Sequence, residues 1–440
     1  MLTELTSGDQ RPETAKSAKS NFGTWGWFTV LFAFLSFMFA GNLIIDSLNI
    51  TITAFSALHG WEASVLLSYS TLAGLTAIIG CGILSRCVNR FGVKAVYLVC
   101  LIIVAVCCFL WGAVSTVWQY VTILVLVNIF GNGFGFVGGT AIIANWFPRK
   151  KGLAMGWATI GFQASALLLL PAFQTLLNRY DLKTSYRFIG VCLFALALVC
   201  AVFVKSHPED RGCTPDNDST FSPEEYRQMH VRAMEYAKNS PFTVKRLLKT
   251  RQMWQIGIVN GLVQLAVTAL IAQFIPHMVR CGISEANALA VYSIAAILGG
   301  LGSYLWGVLD YQIGVKKATI WMCVMHAVTG VAFALAAGGV CTSRGFLYFS
   351  ALLIAAILGV SSNYLGSFTA TVFGRYDYSR AFSVIYMLVC GLRALSFATV
   401  GGLAMLTGSY TASYIVTAAL SVIALLVTLG IDDSCIGRLY

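Results

Sequence analysis

"GILSRCVNRFGVK" (residues 82–94) is the stretch on which the fold turns. It closes one apolar run, crosses a short basic loop and opens the next apolar run, and the chain does the same again in "GVLDYQIGVKK" (307–317). The tetrads FGVK and IGVK begin at residues 91 and 313, an offset of 222. A second echo pairs "NWFPRKKGLA" (145–154) with "VFGRYDYSRAF" (372–382). Loops that repeat in position as well as in letters divide the chain into two corresponding halves.

Composition says what those halves are made of. The chain is 58 % hydrophobic and 11 % charged over 440 residues, against about a quarter charged in a soluble domain. Runs long enough to cross about 30 Å of hydrocarbon as helices fall near 25–48, 64–85, 93–115, 117–144, 152–176, 187–204, 253–277, 286–309, 317–339, 345–371, 380–406 and 410–431. The first could run on to about residue 57. These twelve spans predict an all-α integral membrane protein built as two pseudo-symmetric six-helix bundles. A barrel would need short alternating strands, which continuous apolar runs exclude.

The divisions follow: a tail over 1–24, a bundle over 25–204, a charged linker over 205–251, a second bundle over 252–431 and a tail over 432–440. One side of the membrane receives Arg11, Lys16 and Lys19, the basic residues of the 86–94 and 149–151 loops and of the linker, then Lys316, Lys317, Arg375, Arg380 and Arg438. The other receives Arg179, Lys183, Arg187, Arg280 and Arg344. The positive-inside rule makes both termini cytoplasmic, so the net charge of +11 is chiefly a topology signal and not a nucleic-acid patch. The spans make the chain multi-pass, short loops and few appended segments suggest a bacterial inner membrane, and a monomer is expected. The first 20 residues lack the apolar core of a signal peptide, so the first span should remain.

Most of the 13 cysteines lie inside spans without a C-x-x-C pair, as small packing residues do. The five histidines show no local ligand spacing. We therefore expect no metal site, no cofactor and no enzyme activity. In the linker, Ser222 and Pro223 with following acids start a surface helix. Ser240–Pro241 should start a second, amphipathic one. The linker as a whole reads as a solvated tether.

The G-x-L-x-x-x-x-N-R-F-G-x-K loop and the six-plus-six layout resemble the major facilitator superfamily. "HPEDRGCTPD" (207–216) and "LLKTRQMW" (247–254) are similar to one branch, the oxalate/formate antiporter and monocarboxylate transporter group. The resemblance implies a cytoplasmic gate at Gly82, Asn89, Arg90 and Gly92 with Asp310 and Gly314 in the second half. The family usually carries an aspartate where this chain has Asn89, which should weaken the first-half latch.

Polar residues in a membrane helix should face protein or water. Asn42, Asp46, Asn49 and Thr53 form one face of span one, and Asn260, Gln264 and Thr268 one face of span seven. The 222-residue shift lays Asn42 on Gln264. Asn128 and Asn132 of span four, Gln163 of span five, and Asn363 and Tyr364 of span ten complete a central, pseudo-symmetric site of the kind that repeat-built transporters place near midplane. Inside "SVIYMLVCGLRALSFATVGGLAML" (383–406) stands Arg393, about 20 Å along span eleven, with Tyr386 and Phe397 as an aromatic wall. Its burial costs at least about 3 kcal/mol, and its planar fork matches a carboxylate.

In the resembled transporters a basic residue on span eleven commonly binds the substrate carboxylate. Span eight has no second basic residue, which favours a monoanion over a dianion. The expectation is a secondary transporter moving a small organic anion, most simply a monocarboxylate with an apolar or aromatic body, by alternating access. It would act as a proton symporter, with Asp46 as the coupling carboxylate, or as an anion antiporter. A proton-driven drug exporter is the alternative, but it would usually show an arginine in span four and a G-P pair in span five, and neither occurs. A ligand sensor on the same fold would need a signalling domain.

Overall fold

The computed structural model describes residues 22–438 except 221, 342 and 359, with the backbone alone at some helical positions. Among these, eleven helices are long and apolar enough to cross a membrane. One of them, within Val360–Thr407, carries two crossings, because the backbone breaks at Gly374 (φ 69°, ψ −179°). A straight helix would hold Gly366 and Tyr378 about 18 Å apart. Instead the Tyr378 hydroxyl lies 3.4 Å from where a Gly366 Cβ would stand, so the chain reverses there. Twelve crossings result.

Several expected boundaries shift. Span one runs from Gly23 through a π-turn at Asn42–Asp46 and on to His59. Span ten is interrupted after Ile357, where Leu358 turns extended. Span seven is a 30-residue helix, Arg251–Arg280, carrying Pro276. In the first half two more π-turns lie in spans four (Gly133–Gly139) and five (Ser165–Leu169). Single π-turns commonly mark functional sites. The three here carry or adjoin Asn42, Asp46, Asn132 and Ser165.

The repeat exists in the backbone as well as in the letters. Gly92 ends span two at φ 84°, ψ 161°, and Gly314 ends span eight at φ 83°, ψ 153°. A side chain is strained at such φ, so both loops need glycine. The halves meet closely where the loops repeat. Gly152 and Gly156 of span five lie against Asp310 and Gly307 of span eight, and Gly82 of span two against Met387 of span eleven, the close approach that small residues permit.

The linker departs most from expectation. The helix Pro223–Lys238 starts as foreseen, with Ser222 and Glu225 forming a capping box. The second helix is shorter, Val244–Leu247, and Thr243 caps it. Ser240 does not cap it, because its hydroxyl donates to Asp377. Nor is the linker a solvated tether: Glu209 and Asp216 are buried. The tail returns too, since Ile436 N–H donates to the Val372 carbonyl at 2.8 Å.

Candidate functional site: an arginine above a two-sided clasp

Span eleven leaves Gly374 and carries Arg393 18 residues beyond Arg375, about 27 Å along the helix axis. Gly257 and Gly261 of span seven admit Leu388 and Leu392 closely, which fixes how span eleven is turned. Tyr386, on another face, donates its hydroxyl to Asn132 Oδ1 of span four at 2.8 Å. Seven residues return nearly to the same face of a helix, so Arg393 points as Tyr386 does, toward the first half. Cys81 of span two lies in its electrostatic reach, along with Tyr386 and Cys390. Arg393 is half-buried and forms no ion pair among the described residues.

Beneath Arg393 lies an aromatic plug that the sequence did not reveal. Tyr386 stacks on Phe136 at 5.2 Å, Phe136 on Phe162 at 4.9 Å, and Phe162 packs on Phe37 at 4.8 Å. Phe382 and Tyr378 extend the stack down span eleven. Spans one, four, five and eleven thus close one interface around rings. The only sequence signal was "FGF" (134–136) inside the glycine run.

The polar residues expected around the centre divide into two groups. Tyr386 donates to Asn132 while its oxygen also faces Arg393, and Asn132 Nδ2 donates to the Asn128 carbonyl. The Tyr364 hydroxyl donates to the Trp306 carbonyl at 2.9 Å. Asn42 is buried with neither amide atom hydrogen-bonded. Asn260 and Asn363 each donate to a backbone carbonyl and leave Oδ1 without a partner. Gln163 approaches Gly300 of span eight, 3.6 Å from the position of a Cβ, and Gln264 is buried. The side chains of Asn49, Asn89 and Phe397 lie outside the described ones. Asp46 accepts a hydrogen bond from Ser165 and makes no ion pair with Arg393.

The opposite end is closed by charges. Glu209 grips Arg375 bidentately, at 2.7 and 2.6 Å, with both side chains buried. Asp216 accepts the backbone N–H groups of Arg149 and Lys150 at 2.9 and 2.8 Å. Desolvation pushes its carboxyl above the usual range. Asp377 takes Ser240 and the Tyr236 hydroxyl, and Arg380 donates to the Ala237 and Ser240 carbonyls. The linker therefore clasps the 149–150 loop of one half and the 375–380 turn of the other, which are the two echoing loops. Of the expected gate residues, Asp310 is buried and accepts from Ser367, while Arg90 is exposed beside Phe91. A cavity of about 860 Å³ at this end, lined by Arg86, Arg90, Lys238 and Arg380 among apolar residues, does not include Arg393.

The sequence matches the Major Facilitator Superfamily over residues 26–397. The chain belongs to that superfamily. Its members are transporters and not enzymes. The chain is 25 % identical to the oxalate:formate antiporter of Oxalobacter formigenes over 51 % of its length and 49 % of the antiporter's. It is 24 % identical to mouse monocarboxylate transporter 12 over 89 % of its length and 82 % of the transporter's. The superfamily fold is seen again in the proton:xylose symporter XylE bound to 6-bromo-6-deoxy-D-glucose, with TM-score 0.75, 14 % identity and 94 % and 97 % of the two chains covered. It is seen also in FucP in the outward conformation, with TM-score 0.68, 14 % identity and 92 % and 98 % covered.

Proposed function

We propose that this superfamily member moves an organic carboxylate across the membrane and that Arg393 anchors it. The observation that carries the reading is a guanidinium far along span eleven, aimed at the other half, with no ion-pair partner among the described residues. A buried charge must be offset by a partner or water. A carboxylate ligand supplies the fork-matched partner, and the aromatic plug beneath gives an apolar body something to rest on. Distant similarity to an oxalate:formate antiporter and to monocarboxylate transporters supports the same class. One basic group on this face, without a second, favours a monoanion.

In this reading both termini are cytoplasmic, as the charge distribution implies. The clasped end is then the cytoplasmic side, and substrate enters from outside. Breaking the Glu209–Arg375 and Tyr386–Asn132 contacts is what an inward opening requires. Asp46, held by Ser165 across spans one and five, is the candidate for proton coupling. Anion exchange would leave it silent.

The test is thermal stabilisation of the purified protein by monocarboxylates, their neutral amides, dicarboxylates and cationic drugs, repeated with Arg393→Gln. Acids should raise the melting temperature, amides should not, and the variant should lose the response. Equal stabilisation by amides or cations, or an unchanged response in the variant, overturns the reading.

A further inference from the structure

The linker also assembles a cluster that the transport reading does not use. His207, Asp210 and His230 bring one ligand atom each to within 4.8 Å of one another. Asp210 lies in the single turn Pro208–Arg211, His207 immediately precedes that turn, and His230 comes from the middle of the linker helix. His207 Nδ1 lies 3.8 Å from Asp210 Oδ2, and His230 Nε2 lies 3.9 Å from Asp210 Oδ1. Both separations are too long for hydrogen bonds. Three lone-pair-bearing atoms thus converge without bonding one another.

We propose that His207, Asp210 and His230 bind a divalent transition-metal ion, with zinc the natural probe, and that the ion fastens the linker clasp.

Two imidazoles and a carboxylate are the donor set that such ions take, with further positions left for water. Ligands about 2.1 Å from a tetrahedral ion stand about 3.4 Å apart. The two His–Asp separations, 3.8 and 3.9 Å, exceed this by about half an ångström, and no pair of ligand atoms stands more than 4.8 Å apart, a span that side-chain rotation can close. The support behind the ligands is already built. His230 Nδ1 lies 2.8 Å from the Tyr376 hydroxyl, which orients the ring and leaves Nε2 for the ion, as outer partners of metal-bound histidines do. The His207 ring stacks on Tyr376, with planes 15° apart.

The ligands are also in the right charge state. Burial holds both imidazoles below their ordinary range, His230 at about 4, so the neutral, ligating form prevails near pH 7. The facing charges are Glu209 and Arg375, which neutralise each other in their ion pair, and Asp210, whose side chain is 44 % exposed and gives an ion its entry. An ion here joins the Pro208–Arg211 turn to the linker helix directly beside the Glu209–Arg375 contact, and Tyr376 of the second half supports both histidine rings.

The experiment is titration of tag-free, detergent-purified protein with Zn²⁺ by calorimetry and with Co²⁺ by visible absorption. One equivalent should bind, without a thiolate-to-cobalt charge-transfer band, and Zn²⁺ should raise the melting temperature. Asp210→Asn, at the exposed edge, should keep the metal-free melting temperature and lose at least about tenfold in affinity, and His230→Gln more. Absence of saturable binding, affinity unchanged in Asp210→Asn, or a thiolate band that places the ion on cysteine would each overturn the assignment.

Discussion

Arg375 and Arg393 stand on the same stretch, Val360–Thr407, and differ in everything but side chain. Arg375, at the reversal, is buried and forked onto Glu209. Arg393, 18 residues on, faces the other half and forms no ion pair among the described residues. A guanidinium cannot shed its charge; the first is neutralised by Glu209, whereas the second has no ion-pair partner among the described residues. The first arginine ties the linker to the second half, and the second is the anchor in the proposed function.

Removing one partner of the buried pair should have the largest effect. Glu209→Gln or Arg375→Met leaves an uncompensated buried group and should cost about 3–5 kcal/mol, read as a drop in melting temperature and as faster labelling of buried Cys81 from the linker side. The double replacement Glu209→Leu with Arg375→Met should recover most of the stability, because well-packed apolar pairs often match buried ion pairs. Failure of the double variant to recover would mean that the clasp depends on the charges themselves.

Arg393→Gln should behave in the opposite way. Stability should stay near that of the parent, while apparent affinity for the transported carboxylate falls roughly 100-fold, about 2–3 kcal/mol, in proteoliposome uptake. Loss of stability in proportion to affinity would make Arg393 a second structural arginine and erase the comparison.

Tyr386→Phe tests the plug between the two arginines. It strands Asn132 Oδ1 but keeps the stacking, and should cost about 1–2 kcal/mol, with the closed state less populated in cysteine-accessibility measurements. The smallest effect lies at Asp216. Its folded carboxyl titrates above the ordinary value, so the folded state takes up its proton first and stability should rise as pH falls through that range. Asp216→Asn should remove this slope, a difference of about 2 °C or less in melting temperature between pH 7 and pH 4.

Much of the architecture was written in the sequence, because a membrane forces local rules. Span number, the two halves and the paired glycine turns at Gly92 and Gly314 follow from apolar length and repeated loops. The capping box at Ser222 was legible for the same reason. Ser240 misled, because its hydroxyl serves Asp377, 137 residues away, rather than the next helix turn.

The candidate site was legible only in its charge. Arg393 stood out as a cation in an apolar run, but only tertiary structure shows that Tyr386 donates to Asn132, that Phe37, Phe136 and Phe162 form the plug, and that Asp46 answers to Ser165. The linker shows the division most clearly. Its helix start was fixed by neighbouring residues, whereas Glu209–Arg375 spans 166 positions and the rings of His207 and His230 both meet Tyr376 of the second half. Apolar length and turn chemistry act within a few residues and can be read in order. Pairing of buried charges depends on which groups the fold brings within a few ångströms, and no spacing along the chain records that.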